Sequence, residues 1–501
     1  MRIIASVSFL AIVSALVCWF NFSLHFNGFI LNDYHEYCQI ARNFYEGNGY
    51  STSVLRPIAY KFFTTLPQPE VTRVPLYPFS LSLFFHLFGP NDNAVVLFNS
   101  ICYVALAILI FLIAFELSGE YIVGLLASLM TISMKSFIEY TITAEPNVFY
   151  AALIAAFFLF YLRHPEKTLI QGILLGILYL VRANSLFVFM GLLTGTVIVT
   201  DTWKKRAYGS LLLITGFISG LVPYMIRNYV VIGKPFFSLY KYSLLLFTEK
   251  FPRYTIWTQI ADVNPTQYAF SHPGEMLQKS SAFFYSLVDN SLSFYHPFVL
   301  LSVALGFFLS TDDRRLRALR IIIVAGIIIQ TVLVLPMGPV PYYYMFFFPL
   351  MICIAIMNAR THLGKYAWAA GFLTLAVFLY STVPYWQSPK PANPFIQIGK
   401  EVAGVTNKED IILTDIPWEI TWYANRRTIW LPYDLETLGQ ISRTLKPKYV
   451  LLTGSSYATY KDNVWNHMLL DRNYAKSLGY EFNRPILFQN NIVGILYTST
   501  R

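Results

Sequence analysis

The chain has 501 residues, of which 55% are hydrophobic and only 13% charged, and its mean hydropathy is +0.50. These values exclude an ordinary soluble globular chain and make a bilayer the solvent for most of the length. The net charge of +10 does not point to nucleic acid, because the basic residues are scattered through short loops between apolar runs.

A hydrocarbon core of about 30 Å takes about 20 apolar residues in helix. The first such run covers 4–30, after Arg2; Phe20, Phe22, Phe26 and Phe29 fit a signal-peptide cleavage site poorly, so it is expected to be retained as a span. Further runs cover 93–115, 121–134, 146–162, 168–181, 185–200, 209–226, 297–310, 320–336, 342–357 and 366–384. The reading is an α-helical polytopic membrane protein of about eleven spans. Two of them, 121–134 and 168–181, are short for a bilayer.

Basic residues in alternate loops set the expected orientation. Arg2, Arg163, Lys167, Lys204 to Arg206, Arg314, Arg315, Arg317, Arg320, Arg360 and Lys365 fall on one side, assigned to the cytoplasm of a cell (inner) membrane. The long segments 31–92 and 227–296, and after an odd number of spans everything beyond the last, fall on the other, extracytoplasmic or periplasmic, side. Four cysteines, Cys18, Cys38, Cys102 and Cys353, give neither a metal spacing nor a paired framework, and no disulfide is expected.

Gln387 to Pro394 is Pro-rich and marks a boundary between a membrane domain, 1–384, and a second domain, 385–501. Beyond it, β-branched runs (411–414, 428–431, 449–453, 492–498) alternate with helical stretches (417–424, 435–445), which predicts a small soluble α/β domain.

Chemistry concentrates after the first span. In LNDYHEYCQIARNFYEGNGYS, Asp33 and Glu36 are three apart, so a helix would present both carboxylates on one face. One can serve as a general base; equally, both can be solvated charges at a helix start, with Asp33 as N-cap. Tyr34, Tyr37, Ile40, Ala41 and Phe44 predict an amphipathic helix on the membrane surface, ended by Gly47 and Gly49. Farther along, Arg73 heads RVPLYPFSLSLFFHLFG, where a guanidinium on a proline-stiffened backbone suits bidentate phosphate binding or simple snorkelling. Aromatics crowd 227–296 and suit either a lid or an interfacial layer.

The order Asp-Tyr-x-x-Tyr-x-x-Ile-Ala, Gly-x-Gly-Tyr-Ser and Arg-x-Pro-Leu-Tyr-Pro resembles the GT-C type membrane glycosyltransferases. More narrowly it is similar to the dolichyl-phosphate-mannose-protein mannosyltransferase-like group, family 39. The likeness continues through Ala144-Glu145-Pro146, Val181-Arg182 and PYMIRNYVVIGKP at 223–235.

This resemblance implies a GT-C-like fold and transfer of a sugar, hexosyl or pentosyl, from a polyprenyl-phosphate donor to a lipid, glycan or protein acceptor on the outer face. It places the family's acidic residue at Asp33, as base toward the acceptor. Tyr34 stands where a second acidic residue often follows, so Glu36, Glu139 and Glu145 are candidates for a second carboxylate. Arg73, Arg182, Arg227 and Lys234 map to the rim where the donor phosphate would sit, and each reads equally as a helix-end anchor. No cofactor is indicated, and dependence on a divalent metal stays open.

A secondary transporter would instead carry repeats and midplane charges, which are not seen. A lipid-linked glycan polymerase or ligase is the nearer rival.

Overall fold

The structure is a computed structural model that describes residues 2–455 and 460–500. It divides into two compact units: Met1–Phe26, Val95–Arg227 and Ser280–Pro391 form the first, and Asn27–Ala94, Asn228–Lys279 and Ala392–Arg501 the second.

The first unit is helical, and the apolar runs read from the sequence fall largely on helix, the first ending at His25 rather than at residue 30. Five stretches among the described residues are long and apolar enough to cross a bilayer: Arg2–His25, Asp92–Ser118, Trp203–Ile232, Arg314–Met337 and Met345–Trp386. Two bent pairs would raise the number to 7: Tyr121–Ile132 with Lys135–Ile142, at 64°, and Pro273–Tyr295 with Pro297–Phe308, at 97°. The protein is therefore multi-pass. Met345–Trp386 holds two of the predicted runs, while Asn147–Arg163, Thr168–Tyr179 and Ser185–Val199 are shorter apolar helices.

The loops sorted together by their basic residues do meet. Arg163 pairs with Glu116 at 2.9 Å and Arg360 with Glu120 at 3.6 Å. Arg314 pairs with Asp201 at 3.4 Å, and Arg315 donates to the carbonyl of Leu117 at 3.2 Å. One end of this helical unit thus collects the arginines. Elsewhere in it, Asn21 shows how a polar side chain is satisfied across helices in a medium without water. Asn21 donates to the carbonyl of Ile138 at 2.6 Å and to Thr141 at 2.9 Å, and accepts from the Tyr385 hydroxyl at 2.5 Å.

Backbone contact fixes one helix pair. A Cβ on Gly172 or Gly176 would lie 2.4 or 2.3 Å from the carbonyl oxygens of Leu213 and Phe217. Gly216 and Gly220 meet Leu169 and Ile173 in the same way, at 2.3 and 2.5 Å. This is the small-residue crossing in which two glycines four apart on each helix let backbones touch.

The second unit is built on a sheet. Its strands are β1 (Ser51–Thr52), β2 (Val54–Leu55), β3 (Gln68–Pro69), β4 (Ile411–Thr414), β5 (Arg427–Trp430), β6 (Tyr449–Leu452), β7 (Tyr480–Phe488) and β8 (Asn491–Ser499). The six-stranded sheet has the order β2-β5-β4-β6-β8-β7; β2, β5, β4 and β6 are parallel, while β8 and β7 run antiparallel. β1 and β3 form a separate antiparallel ribbon.

Alternate residues of the central strands feed two cores. Ile412 and Leu451 pack with Ile398, Val402 and Ile420 from the helices Phe395–Val405 and Pro417–Tyr423. Leu413, Val450 and Leu452 pack with Ile441 of helix Leu435–Leu445 and with Phe237, Tyr242, Leu245, Ile256 and Trp257. Of the aromatics of 227–296, Phe237, Tyr242, Phe251 and Trp257 belong to this core, while Phe236, Tyr240, Phe247, Tyr254, Phe270, Phe284 and Tyr285 are exposed.

The sheet also alters the expected domain boundary. β2 comes from the segment after the first span and pairs with β5 at Val54↔Thr428 and Leu55↔Ile429. Residues 392–501 consequently share their core with 27–94 and 228–279. β7 escapes the sequence pattern because Glu481, Arg484 and Pro485 sit on an edge strand with two register shifts, where a polar face costs nothing.

The glycine crossing yields a direct expectation. Gly176→Leu drives a side chain into backbone and should lower the thermal midpoint in detergent or nanodiscs, at a cost of at least about 1–3 kcal/mol. An unchanged midpoint would mean the helices are not in backbone contact.

Candidate functional site

The site grows from the helix Asn32–Tyr45. Leu31, extended at φ −96 and ψ 142, is its N-cap, and the Asn32 side chain accepts from the amide of Asp33 at 2.8 Å. Asp33 therefore occupies the first turn and is not the cap the sequence suggested. There its charge suits the positive end of the helix dipole. Gly47 and Gly49 follow the helix with φ of +83 and +65, which side chains resist.

The polar face of this helix is not solvated. His35, Glu36, Gln39, Arg42 and Asn43 are all buried. Gln39 donates to Thr52 at 2.9 Å, Asn43 to the carbonyl of Ser51 at 3.0 Å, and Arg42 to the carbonyl of Trp422 at 2.8 Å. The helix is clasped by the segment that follows it and by the C-terminal one.

Glu36 is the centre of this clasp. Its side chain is 1% exposed, and two guanidiniums hold it. Arg56 Nη2 lies 2.5 Å from one carboxylate oxygen; Arg73 Nε and Nη2 lie 2.7 and 2.6 Å from the other. Arg73 Nη2 also donates to Asp33, so one guanidinium bridges the two carboxylates that the three-residue spacing placed on one face. Burial alone would raise the Glu36 pKa, but Arg56 and Arg73 outweigh it and hold the carboxyl below the usual range.

Each arginine is itself positioned. Arg56 stacks on Trp418 at 5.0 Å and Trp257 at 5.8 Å, from two other segments of the unit, and Arg73 lies over Tyr37 at 5.0 Å. Glu70 Oε1 accepts from the amides of Thr72 and Arg73, and the carbonyl of Arg73 accepts from the Tyr50 hydroxyl. Burial, then the charge of Glu36, pushes the Glu70 carboxyl up. In contrast to Glu36, Asp33 keeps 39% of its side chain exposed.

A further carboxyl comes from the C-terminal segment. Glu419, on the helix Pro417–Tyr423 that packs against Asn32–Tyr45, is 1% exposed, and neither oxygen has a partner on another residue. Burial, with the charges of Asp415 and Asp33 adding to it, pushes Glu419 up to about 8. Asp415 accepts from the amides of Thr453 and Ser455 at 3.0 and 2.8 Å, and burial pushes it up to about 6.

The other residues singled out from the sequence lie elsewhere. Glu145 is buried in the first unit and accepts from Asn147 at 2.7 Å; Glu139 pairs with Lys135 at 3.4 Å. Arg182, also in the first unit, donates to Asn184 at 3.0 Å and lies 5.4 Å from the rings of Tyr342 and Tyr343. Arg227 is half-buried near the end of Trp203–Ile232, and Lys234 follows that helix, exposed. The structure thus joins Asp33, Glu36 and Arg73 directly, and adds Arg56, Glu70, Trp257, Trp418 and Glu419. The missed groups lack a local signal, apart from Arg56-Pro57, which repeats the Arg-and-proline pattern of Arg73 and Pro75. Among the described residues, no three His, Cys, Asp or Glu side chains converge as a metal site would require.

The Glu36 clasp is testable by a double-mutant cycle. Arg56→Leu should cost about 3–5 kcal/mol of stability by stranding part of a buried charge. Adding Glu36→Leu should recover part of that loss, and simple additivity in the thermal midpoints would contradict the pairing.

Comparison with known proteins now bears on this arrangement. Residues 68–226 match the family model described as dolichyl-phosphate-mannose-protein mannosyltransferase. No curated protein sequence matches the chain. The fold is similar to that of the Archaeoglobus fulgidus oligosaccharyltransferase solved with Zn and sulfate, with a TM-score of 0.57 and 11% identity over 89% of this chain and 68% of that one. It is also similar to ArnT from Cupriavidus metallidurans bound to undecaprenyl phosphate, with a TM-score of 0.55 and 11% identity over 98% and 97% of the two chains. The chain thus shares the fold of these two structures, and its residues 68–226 carry a segment of the mannosyltransferase family.

Proposed function

We propose that the protein transfers a sugar from a polyprenyl-phosphate donor to an acceptor hydroxyl at the outer face of a cell membrane, with Asp33 as general base. The observation that carries this reading is the Asp33–Arg73–Glu36 bridge, which leaves one carboxylate buried and immobile and its neighbour open to substrate.

In this mechanism Asp33 takes the proton of the acceptor hydroxyl as that oxygen attacks the anomeric carbon, and the sugar–phosphate bond breaks with inversion. Glu36 does not touch substrate. It anchors Arg73, which fixes Asp33 in turn, so the base is held in place before the acceptor arrives. The leaving polyprenyl phosphate already carries charge and needs cations more than a proton; Arg182, Arg227 and Lys234 are the groups assigned to it. Arg73, the fourth basic residue assigned to the donor phosphate, is engaged by two carboxylates and would have to exchange one of them for a phosphate. An undecaprenyl phosphate bound to ArnT, a protein of similar fold, supports an isoprenoid carrier. The acceptor is a lipid, a glycan or a protein.

The orientation belongs to the same proposal. The N-terminus and the basic loops are cytoplasmic, and Asp33 and the C-terminal domain extracytoplasmic.

Purified protein supplied with polyprenyl-phosphate sugars should transfer them, and Asp33→Asn should lower the rate by about 10²–10⁴-fold with the thermal midpoint retained. Full activity in that variant would remove Asp33 from the chemistry. A reporter fused after residue 391 should be active only outside the cytoplasm; a cytoplasmic signal would invert the topology and defeat the site.

A further inference from the structure

The helical unit holds a cavity of about 220 Å³ that none of the residues assigned to the transfer reaction lines. Its walls come from three places where helix breaks or ends. Residues 134–136 lie at the bend between Tyr121–Ile132 and Lys135–Ile142, 293–299 at the bend between Pro273–Tyr295 and Pro297–Phe308, and 378–385 near the end of Met345–Trp386. All of them belong to the first unit. Backbone that leaves helix at membrane depth persists only where protein covers it or where it borders a filled cavity, so two such bends around one space ask what fills it.

The polar groups of the wall are only partly used. Ser136 is 2% exposed and its hydroxyl has no hydrogen-bond partner; Nδ1 of His296 is buried and has none either. Beside them Lys135 keeps 40% of its side chain exposed, so the cavity is open at this edge. Lys135 pairs with Glu139 at 3.4 Å, a single contact for an ammonium group with three donors. Among the described residues, no carboxylate lines the cavity. His296 is also the N-cap of the 12-residue helix Pro297–Phe308, whose positive end therefore opens on the same space. The φ of +64 at His296 is one that a side chain resists and that persists only where the surroundings impose it. Met134, Val299 and Phe378 make the remaining wall apolar.

We propose that this cavity binds the phosphate of a bilayer phospholipid, held as a resident lipid separate from the sugar donor. A phosphodiester carries one negative charge and several acceptor oxygens. Lys135 answers the charge, while the Ser136 hydroxyl and the Nδ1–H form of His296 donate to the oxygens from two different helix breaks. The apolar wall takes the glycerol and the first methylenes of the chains. A metal ion would find no carboxylate here, and an uncharged ring would leave the positive bias of the lysine and the helix end unanswered. The bound head group joins the two bent pairs to each other, so the lipid acts as a strut of the helical unit. Nothing in this assignment depends on Asp33.

The test uses full-length protein stripped of lipid in detergent, with binding read by native mass spectrometry and by the thermal midpoint. The probes are phosphatidylglycerol, diacylglycerol, glycerol 3-phosphate and bare polyprenyl phosphate. Phosphatidylglycerol should bind the parent and raise its midpoint, with diacylglycerol and glycerol 3-phosphate about 10-fold or more weaker. Lys135→Gln and Ser136→Ala should each weaken phosphatidylglycerol by about 10-fold or more, since each removes a hydrogen bond to a charged group, and should leave the affinity for polyprenyl phosphate unchanged. Both should keep the lipid-free midpoint, because the Ser136 hydroxyl bonds nothing and the Lys135–Glu139 pair is exposed. If Ser136→Ala did not fold, Lys135→Gln alone would decide. Failure of phosphatidylglycerol to bind the parent, or equal affinity in the variants, would overturn the assignment. Diacylglycerol binding as tightly would make the cavity merely apolar, glycerol 3-phosphate binding as tightly would make its occupant a soluble phosphate, and a matching loss for polyprenyl phosphate would give the cavity to the donor; each outcome removes the resident lipid.

Discussion

One buried carboxylate organises the second unit. Glu36 is removed from water and held by Arg56 on one oxygen and Arg73 on the other. An ion pair taken out of water gains little over a hydrophobic pair of the same size, because desolvation consumes most of the attraction. Its value lies in specificity: once the charges are buried, no other arrangement of these segments satisfies them.

The consequence is an assembly drawn from three distant stretches of chain. Residues 27–94 bring the carboxylates, both arginines and strand β2; 228–279 bring Trp257; 392–501 bring Trp418 and the β5 edge on which β2 adds. Indole faces let Arg56 leave water without losing every favourable contact. Arg42 ties the same helix to the carbonyl of Trp422. Strand addition settles register as well, since a one-residue slip of β2 would turn Val54 and Leu55, both fully buried, to the wrong face.

Within this frame three carboxyls in one neighbourhood take three different states. Glu36 is ionised and immobile, Asp33 is bridged to Arg73 yet partly open, and Glu419 is driven toward the neutral acid by burial. The helical unit follows a plainer rule: its glycines permit backbone contact where Thr168–Tyr179 crosses Trp203–Ile232, and its asparagines answer backbone carbonyls that no water would reach.

The sequence by itself determined the apolar helices, the collection of arginines at one end, the Asn32–Tyr45 helix with Asp33 and Glu36 on one face, and most of the central strands after residue 410. These follow from composition and period, which act over a few turns of chain. It could not supply Arg56 as a partner of Glu36 or Trp418 as a partner of Arg56, because these pairs lie 20 and 362 positions apart and no local pattern records a contact across such separations. Nor could it decide that the polar face of that helix is buried, since a solvated face and a face covered by protein have the same period. The tertiary structure decided that, and with it the place of the C-terminal segment in the same core. A lone charge is solvated wherever water can reach it, and only the packing of three segments around Glu36 excludes that water and makes its two arginines obligatory.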